Sequence, residues 1–325
     1  MKNRYLLLAA AILLVLSGCS NKATDETESP SSEKLSVYTT VYPLQYFTER
    51  IGGDVVDVQS IYPPGTDEHV FEPTQKDMMA LSKADLFFYI GLGLEGFVQK
   101  TEKTLKNEQV HFVPVGDAID PEEFEEGHSH EHEHEQEIHG EEEEEHHHDE
   151  SAVDPHVWIS PYLSTLLAEK IKDELSDELP EHAAQFEKNY NELYDELEAL
   201  DRQYKTMADE APNKTFFVSH AAFGYLANTY GLEQLAISGL DSQNEPSQKQ
   251  LASLVHEAKE QDIHYILFEQ NVSSKLAEVI QKELNAETLT LHNLSVLTDE
   301  EIKNKDDYFS LMERNLQVLK KALQN

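Results

Sequence analysis

The chain has 325 residues, one cysteine and a formal charge of −38, with 63 acidic against 25 basic side chains. That length exceeds what the simplest single core needs and is enough for two lobes. So negative a chain repels phosphates, which excludes nucleic acid as a partner, and a lone cysteine excludes an internal disulfide.

The N-terminus reads as an export signal. Lys2 and Arg4 are basic, Tyr5 to Leu16 is apolar but shorter than the ~20 residues needed to span a bilayer, and small residues follow in Leu16-Ser17-Gly18-Cys19. Leu-Ser-Gly-Cys is similar to a bacterial lipobox, so Cys19 is the expected lipidation site and residues 1–19 the lipoprotein signal peptide. A diacylglyceryl group supplies the two acyl chains that stable anchoring requires. Residues 20–34 are rich in Ser, Thr, Glu and Pro, the composition of a disordered tether.

Strands are expected at 35–40, 55–61, 85–90 and 111–115, with helices between them. Gly52-Gly53 closes the first helix, and Thr74 with Asp77 three residues on opens another. Strands alternating with helices imply a parallel sheet covered on both faces, with ligands bound beyond the strands' carboxyl ends. His69, in Asp67-Glu68-His69-Val70-Phe71-Glu72-Pro73, lies there, after the turn Pro63-Pro64-Gly65.

Residues 120–150 form a loop rich in His and Glu. Between 127 and 150 it holds eight histidines (His128, His130, His132, His134, His139, His146, His147, His148) and eleven acids. With almost no apolar residue it is expected to be disordered. Solvated charge explains the acids, but imidazoles spaced among carboxylates offer many weak, exchanging sites for Zn²⁺. The tract is therefore an expected auxiliary metal binder that collects zinc and is dispensable for the tight site.

Asp154-Pro155-His156-Val157-Trp158-Ile159-Ser160-Pro161 holds a second junction histidine beside the only tryptophan. Ser160 is a good N-cap and Pro161 suits the first helical turn. Leu163, Leu166, Leu167, Ile171 and Leu175 then repeat at helical spacing. From Pro180 to about Ala211 a long helix is expected, with Phe186, Tyr190, Leu193, Tyr194, Leu197, Leu200, Tyr204 and Met207 along one face as core packing. Such a rod is suited to joining two lobes.

Strands recur at 215–219, 233–237, 265–268 and 288–291. His220 directly follows the first of these and Glu269 the third, again at carboxyl ends. His69, His156 and His220 thus occupy three loop–helix junctions, the raw material of a zinc site. His111, His182, His256, His264 and His292 lack that placement and read as structural or surface residues.

At this point the chain resembles the zinc-binding solute receptors of bacterial ABC importers, in the metal-specific cluster of substrate-binding lipoproteins. The resemblance runs from Leu35 to the C-terminus and is carried by Thr40-Val41-Tyr42-Pro43-Leu44, residues 67–73, 154–161 and 219–225, and Phe268-Glu269. It implies an α/β fold of two (β/α)4 lobes with parallel sheets joined by one long rigid helix, with the metal in the cleft between them. The expected division is 35–179 for the N-terminal lobe, 180–211 for the linking helix and 212–325 for the C-terminal lobe. Carried over residue by residue, the ligands are His69, His156, His220 and Glu269, with Glu68 or a water as alternatives in fourth place. Zn²⁺ is then cargo rather than cofactor. The partners are an ABC permease and its ATPase, and the receptor is a monomer lipid-anchored outside the cell membrane. The extra C-terminal metal-binding domain of some longer zinc members is expected to be absent.

Three neutral imidazoles and a carboxylate suit four-coordinate Zn²⁺, whereas Mn²⁺ prefers more oxygens. Binding should weaken as imidazoles protonate near pH ~6.5. Three other readings compete. A manganese or iron receptor of the same fold is disfavoured by His220 and the histidine tract. A zinc hydrolase, with Glu68 as general base, is disfavoured because none of the three junction histidines lies in a His-Glu-x-x-His motif and the junctions are far apart. The expected answer to whether this is an enzyme is no. A surface adhesin would not require the junction histidines.

Overall fold

The computed structural model describes residues 34–120, 153–240, 247–270 and 275–324. The export segment with Cys19, residues 20–33 of the tether and the histidine tract lie outside the described residues.

The first half contains β1 (Leu35–Thr39), α1 (Tyr42–Gly52), β2 (Val56–Ser60), α2 (Gln75–Leu81), β3 (Leu86–Tyr89), α3 (Val98–Leu105) and β4 (His111–Pro114). Its strands pair in parallel in the order β2-β1-β3-β4. The expected punctuation is present. Gly53 turns out of α1 at φ +58°, where a side chain would be strained. Thr74 and Asp77 form a reciprocal capping box at α2.

Two helices follow. In α4 (Pro161–Glu178), Ser160 caps by accepting the Leu163 N–H, and Pro161 occupies the first turn. A single 3₁₀ turn at Pro180–His182 then leads into α5 (Ala183–Glu210). The 28 residues of α5 make a rod of about 42 Å. Proline fits the 3₁₀ turn, so the α-helix proper starts three residues later than the apolar pattern implied. Seven of the eight stripe residues of α5 are buried; Tyr194 sits at the edge, its hydroxyl against Glu198.

The second half repeats the first: β5 (Thr215–His220), α6 (Gly224–Tyr230), β6 (Glu233–Ser238), α7 (Gln248–Glu260), β7 (Tyr265–Phe268), α8 (Lys275–Leu284) and β8 (Glu287–Thr290), paired in parallel as β6-β5-β7-β8. Then come α9 (Asp299–Asn304) and α10 (Tyr308–Ala322). Strand alternation sorts this sheet's two faces. Phe216, Val218 and Leu267 join the large core shared with the first half and with α4 and α5. Phe217, Ile266, Leu235 and Ile237 point the other way into a smaller core with Ala258 of α7 and Ile280 of α8.

The rod touches both halves. Arg50 of α1 pairs with Glu196 at 2.6 Å, and Asn189 donates to the Ile51 carbonyl at 2.9 Å. Farther along, the Tyr204 hydroxyl donates to the Met312 carbonyl at 2.7 Å, and that of Tyr230 donates to Asp201 at 2.9 Å. The loop 291–297 makes a second connection. Ser295 and Leu297 accept from the backbone N–H groups of Tyr42 and Gly65, and the Trp158 indole donates to the Asn293 carbonyl at 2.7 Å.

Candidate metal centre

Each junction histidine is held by a local device. His69 lies in the loop between β2 and α2, where the Asp67 carboxylate accepts its backbone N–H at 3.0 Å. Two residues on, Phe71 packs edge-on against Tyr62 and Phe97, with centroids 4.9 and 5.5 Å away. That contact fixes the loop on the core.

His156 is fully buried. Asp154 Oδ1 accepts its backbone N–H at 2.9 Å and lies 2.7 Å from its Nδ1. With Nδ1 carrying the proton toward the carboxylate, Nε2 presents its lone pair, the arrangement that orients metal-binding imidazoles. Asp154 is held in turn by the second half. The Tyr225 hydroxyl donates to its carbonyl at 2.8 Å, and a Cβ at Gly224 would come within 2.8 Å of its Oδ2. Gly224 is therefore needed for close approach. Trp158, also fully buried, wedges the His156 loop against the 291–297 loop.

His220 is the last residue of β5 and almost fully buried. Its Nδ1 lies 3.0 Å from Glu269 Oε1 and its Nε2 2.9 Å from the Leu240 carbonyl. Burial pushes the imidazole pKa down, but Glu269 outweighs it and holds the group up at about 9. Burial likewise raises the Glu269 carboxyl, and the facing His220 reverses that, so its pKa is net lowered. An imidazole nitrogen must be free of its proton to bind a metal, so the partner Glu269 makes cation binding at His220 compete with protonation.

The three rings form a near-equilateral triangle, with centroids 5.2 Å (His69–His156), 5.2 Å (His69–His220) and 5.0 Å (His156–His220) apart. Among the described residues this is the group of His, Cys, Asp and Glu side chains whose donor atoms all lie within 4.8 Å of one another. The Nε2 atoms of His69 and His156 are 3.3 Å apart. Two nitrogens on a tetrahedral zinc, each at about 2.0–2.1 Å, lie about 3.3–3.4 Å apart, so that edge has the right length for the ion.

Two buried carboxylates flank the triangle without belonging to it. Glu269 touches His220 as described; Glu68 Oε1 lies 4.0 Å from His69 Nε2. Burial, then the nearby Glu269 charge, leaves the Glu68 carboxyl raised. The other described histidines stay apart. His111, His256 and His264 are exposed and His182 half-buried, while His292 is a buried structural residue 3.0 Å from Glu301.

Sequence reasoning missed Asn293, whose side-chain amide reaches both Glu269 and Glu68. The signal for it was position: it follows β8 at a carboxyl edge, in Leu291-His292-Asn293, as His220 and Glu269 follow their strands. The role of Asp154 was also missed, although it lay inside the Asp154–Pro161 motif.

The chain is also similar to known proteins. The family model described as zinc-uptake complex component A, periplasmic (ZnuA), matches residues 37–322. The zinc-binding lipoprotein AdcA of Streptococcus pneumoniae is 39% identical over 326 residues, covering 99% of this chain and 61% of that protein. This chain thus spans about three fifths of that relative. The high-affinity zinc uptake system protein ZnuA of Bacillus subtilis is 37% identical over 318 residues, 98% of this chain and 97% of that one. Among solved structures, the Zn(II)-bound ZnuA-like domain of S. pneumoniae AdcA superposes with a TM-score of 0.72 at 35% identity, covering 90% of this chain and all of that domain. Two parallel (β/α) halves, three converging junction histidines and a family match across nearly the whole described chain lead to one conclusion: this chain belongs to the ZnuA family of zinc-uptake components.

Proposed function

We propose that the chain is an extracytoplasmic receptor that captures Zn²⁺ and delivers it to an ABC permease driven by its ATPase. The observation that carries this reading is the convergence of His69, His156 and His220, whose donor nitrogens lie within 4.8 Å of one another and whose His69–His156 edge has the length a zinc ion requires. In this reading the three imidazoles are ligands and Glu269 supplies the fourth donor through Oε1, the oxygen already facing His220. His69 and His156 come from the half before α5, and His220 and Glu269 from the half after it. The cation therefore bridges the two, and release requires them to part or a loop to move. The rod α5 and the 291–297 loop limit that motion.

The division into lobes at 35–179 and 212–325 with a linking segment at 180–211 belongs to the same proposal, as do Cys19 as the membrane anchor and the monomeric state. The histidine tract at 127–150 is proposed to gather zinc near the site. The chain acts by binding and not by catalysis. The choice of zinc over manganese rests on the three nitrogen donors, which suit a four-coordinate ion.

The test is a competition titration of Zn²⁺ against Mn²⁺ on the full chain and on a chain lacking residues 1–34 and 127–150. Tight zinc binding at one site that survives both deletions supports the reading. A tight site that vanishes with residues 127–150, or that prefers Mn²⁺, refutes it.

A further inference from the structure

Two buried carboxylates beside three imidazoles pose a problem of number. Glu68 is 4% exposed and Glu269 5% exposed, and both lie near the histidine triangle. If every available oxygen joined the three nitrogens, the cation would have five or more donors, an environment that suits Mn²⁺ better than Zn²⁺. Something must hold the surplus oxygens back.

Asn293 is placed to do so. Its Oδ1 accepts from Gln270 Nε2 at 2.7 Å and from the backbone N–H and hydroxyl of Ser295, each at 3.0 Å. A backbone N–H can only donate, so the amide orientation is fixed and the NH₂ must face the other way. There it donates to Glu269 Oε2 at 2.5 Å and lies 3.3 Å from Glu68 Oε1. The Asn293 backbone is clamped too, its N–H donating to Gln270 Oε1 at 3.1 Å and its carbonyl accepting from the Trp158 indole at 2.7 Å.

We propose that Asn293 is a positioning residue that sets the metal's coordination number, and with it the preference for Zn²⁺ over Mn²⁺. By occupying Glu269 Oε2 it leaves only Oε1 for the ion, so this carboxylate binds through one oxygen. By tethering Glu68 Oε1 it keeps the second carboxylate off the ion. The inference rests on the reading that His69, His156 and His220 hold the cation.

Co²⁺ is a suitable probe because four-coordinate Co²⁺ gives intense visible bands and five- or six-coordinate Co²⁺ weak ones. The experiment loads the full chain with Co²⁺ and subtracts the spectrum of His220→Ala, which carries the same histidine-tract background. It also measures the Zn²⁺:Mn²⁺ affinity ratio. The wild type should show the intense bands. Asn293→Ala, checked for an unchanged circular dichroism spectrum, should lose most of that intensity, with the Zn²⁺:Mn²⁺ ratio narrowing at least ~10-fold, the size of an outer-shell effect. Adding Glu68→Gln to Asn293→Ala should restore part of both. Glu68→Gln alone, a near-isosteric change that tests the proposal even if Asn293→Ala does not fold, should leave spectrum and ratio as in the wild type. Unchanged bands in a folded Asn293→Ala, or altered bands in Glu68→Gln alone, overturn the proposal. If instead wild type and His220→Ala give identical spectra, it is the three-histidine reading that fails.

Discussion

The carboxyl edges of the two sheets have the same topology and opposite chemistry. In each sheet the strand order reverses between neighbouring strands, β1 and β3 in one and β5 and β7 in the other, and such a switch point opens a crevice where ligands bind. In the first sheet the crevice is filled from within. Glu95, a buried residue, accepts from the Ile90 and Gly91 N–H groups at 2.9 and 3.0 Å and from the Thr40 hydroxyl at 2.8 Å. Burial raises its pKa, and these hydrogen bonds only partly offset that, leaving it at about 7. In the second sheet the same place holds His220 and Glu269, facing the histidine triangle. The first half supplies His69 and His156 from loops instead. Repeated topology therefore does not repeat the site; the side chains at each edge decide.

Variants on the two edges sharpen this contrast. His220→Ala, on the second edge, should have the largest effect on zinc affinity, greater than the roughly 10–100-fold that outer-shell changes cost. The exposed His256→Ala should titrate like the wild type; equal curves for the two variants would break the account. Asp154→Ala should come next, about 10–100-fold weaker, because the His156 ring loses the carboxylate that fixes its tautomer. Gly224→Ala should weaken binding by a smaller factor, since its new methyl displaces the Asp154 carboxylate without removing it. Calorimetric titration with Zn²⁺ against a competing chelator would rank all three.

Glu95→Gln, on the first edge, should leave zinc affinity unchanged and instead alter stability. The folded carboxyl holds its proton up to about 7, above its ordinary value of 4.5. The folded state thus binds more protons than the unfolded one between those values, and this group's contribution to stability falls as pH rises through them. Urea unfolding between about pH 5 and pH 8 should show the wild type losing stability relative to Glu95→Gln. A parallel pH dependence in the two proteins would contradict the assignment of Glu95 as a buried plug.

Much of this was legible in the sequence. The alternation of strands and helices gave all eight strands to within a residue or two, and inner strands such as β3 and β7 stood out most because buried parallel strands are short apolar runs bounded by turn residues. The cap at Ser160, the capping box at Thr74 and the glycine at 53 announced helix ends through local hydrogen bonding. The three histidines stood out because each sat at a junction beside an aromatic or proline anchor. What the sequence hid was long-range. Asn293 meets Glu68 across 225 positions and Glu269 across 24. Nothing local distinguishes such an asparagine from one in a surface turn. Glu95 was hidden for the same reason, since an acid five residues past a strand reads as solvated until the loop folds back over it.

The central claim is that one dication is gripped by His69, His156 and His220 together. Anomalous diffraction at the zinc edge, on crystals grown with one equivalent of Zn²⁺, tests it most directly. The account predicts a single strong peak within about 2.0–2.2 Å of a ring nitrogen from each of the three. A peak bound by fewer than all three of these imidazoles, or lodged elsewhere in the molecule, would contradict it.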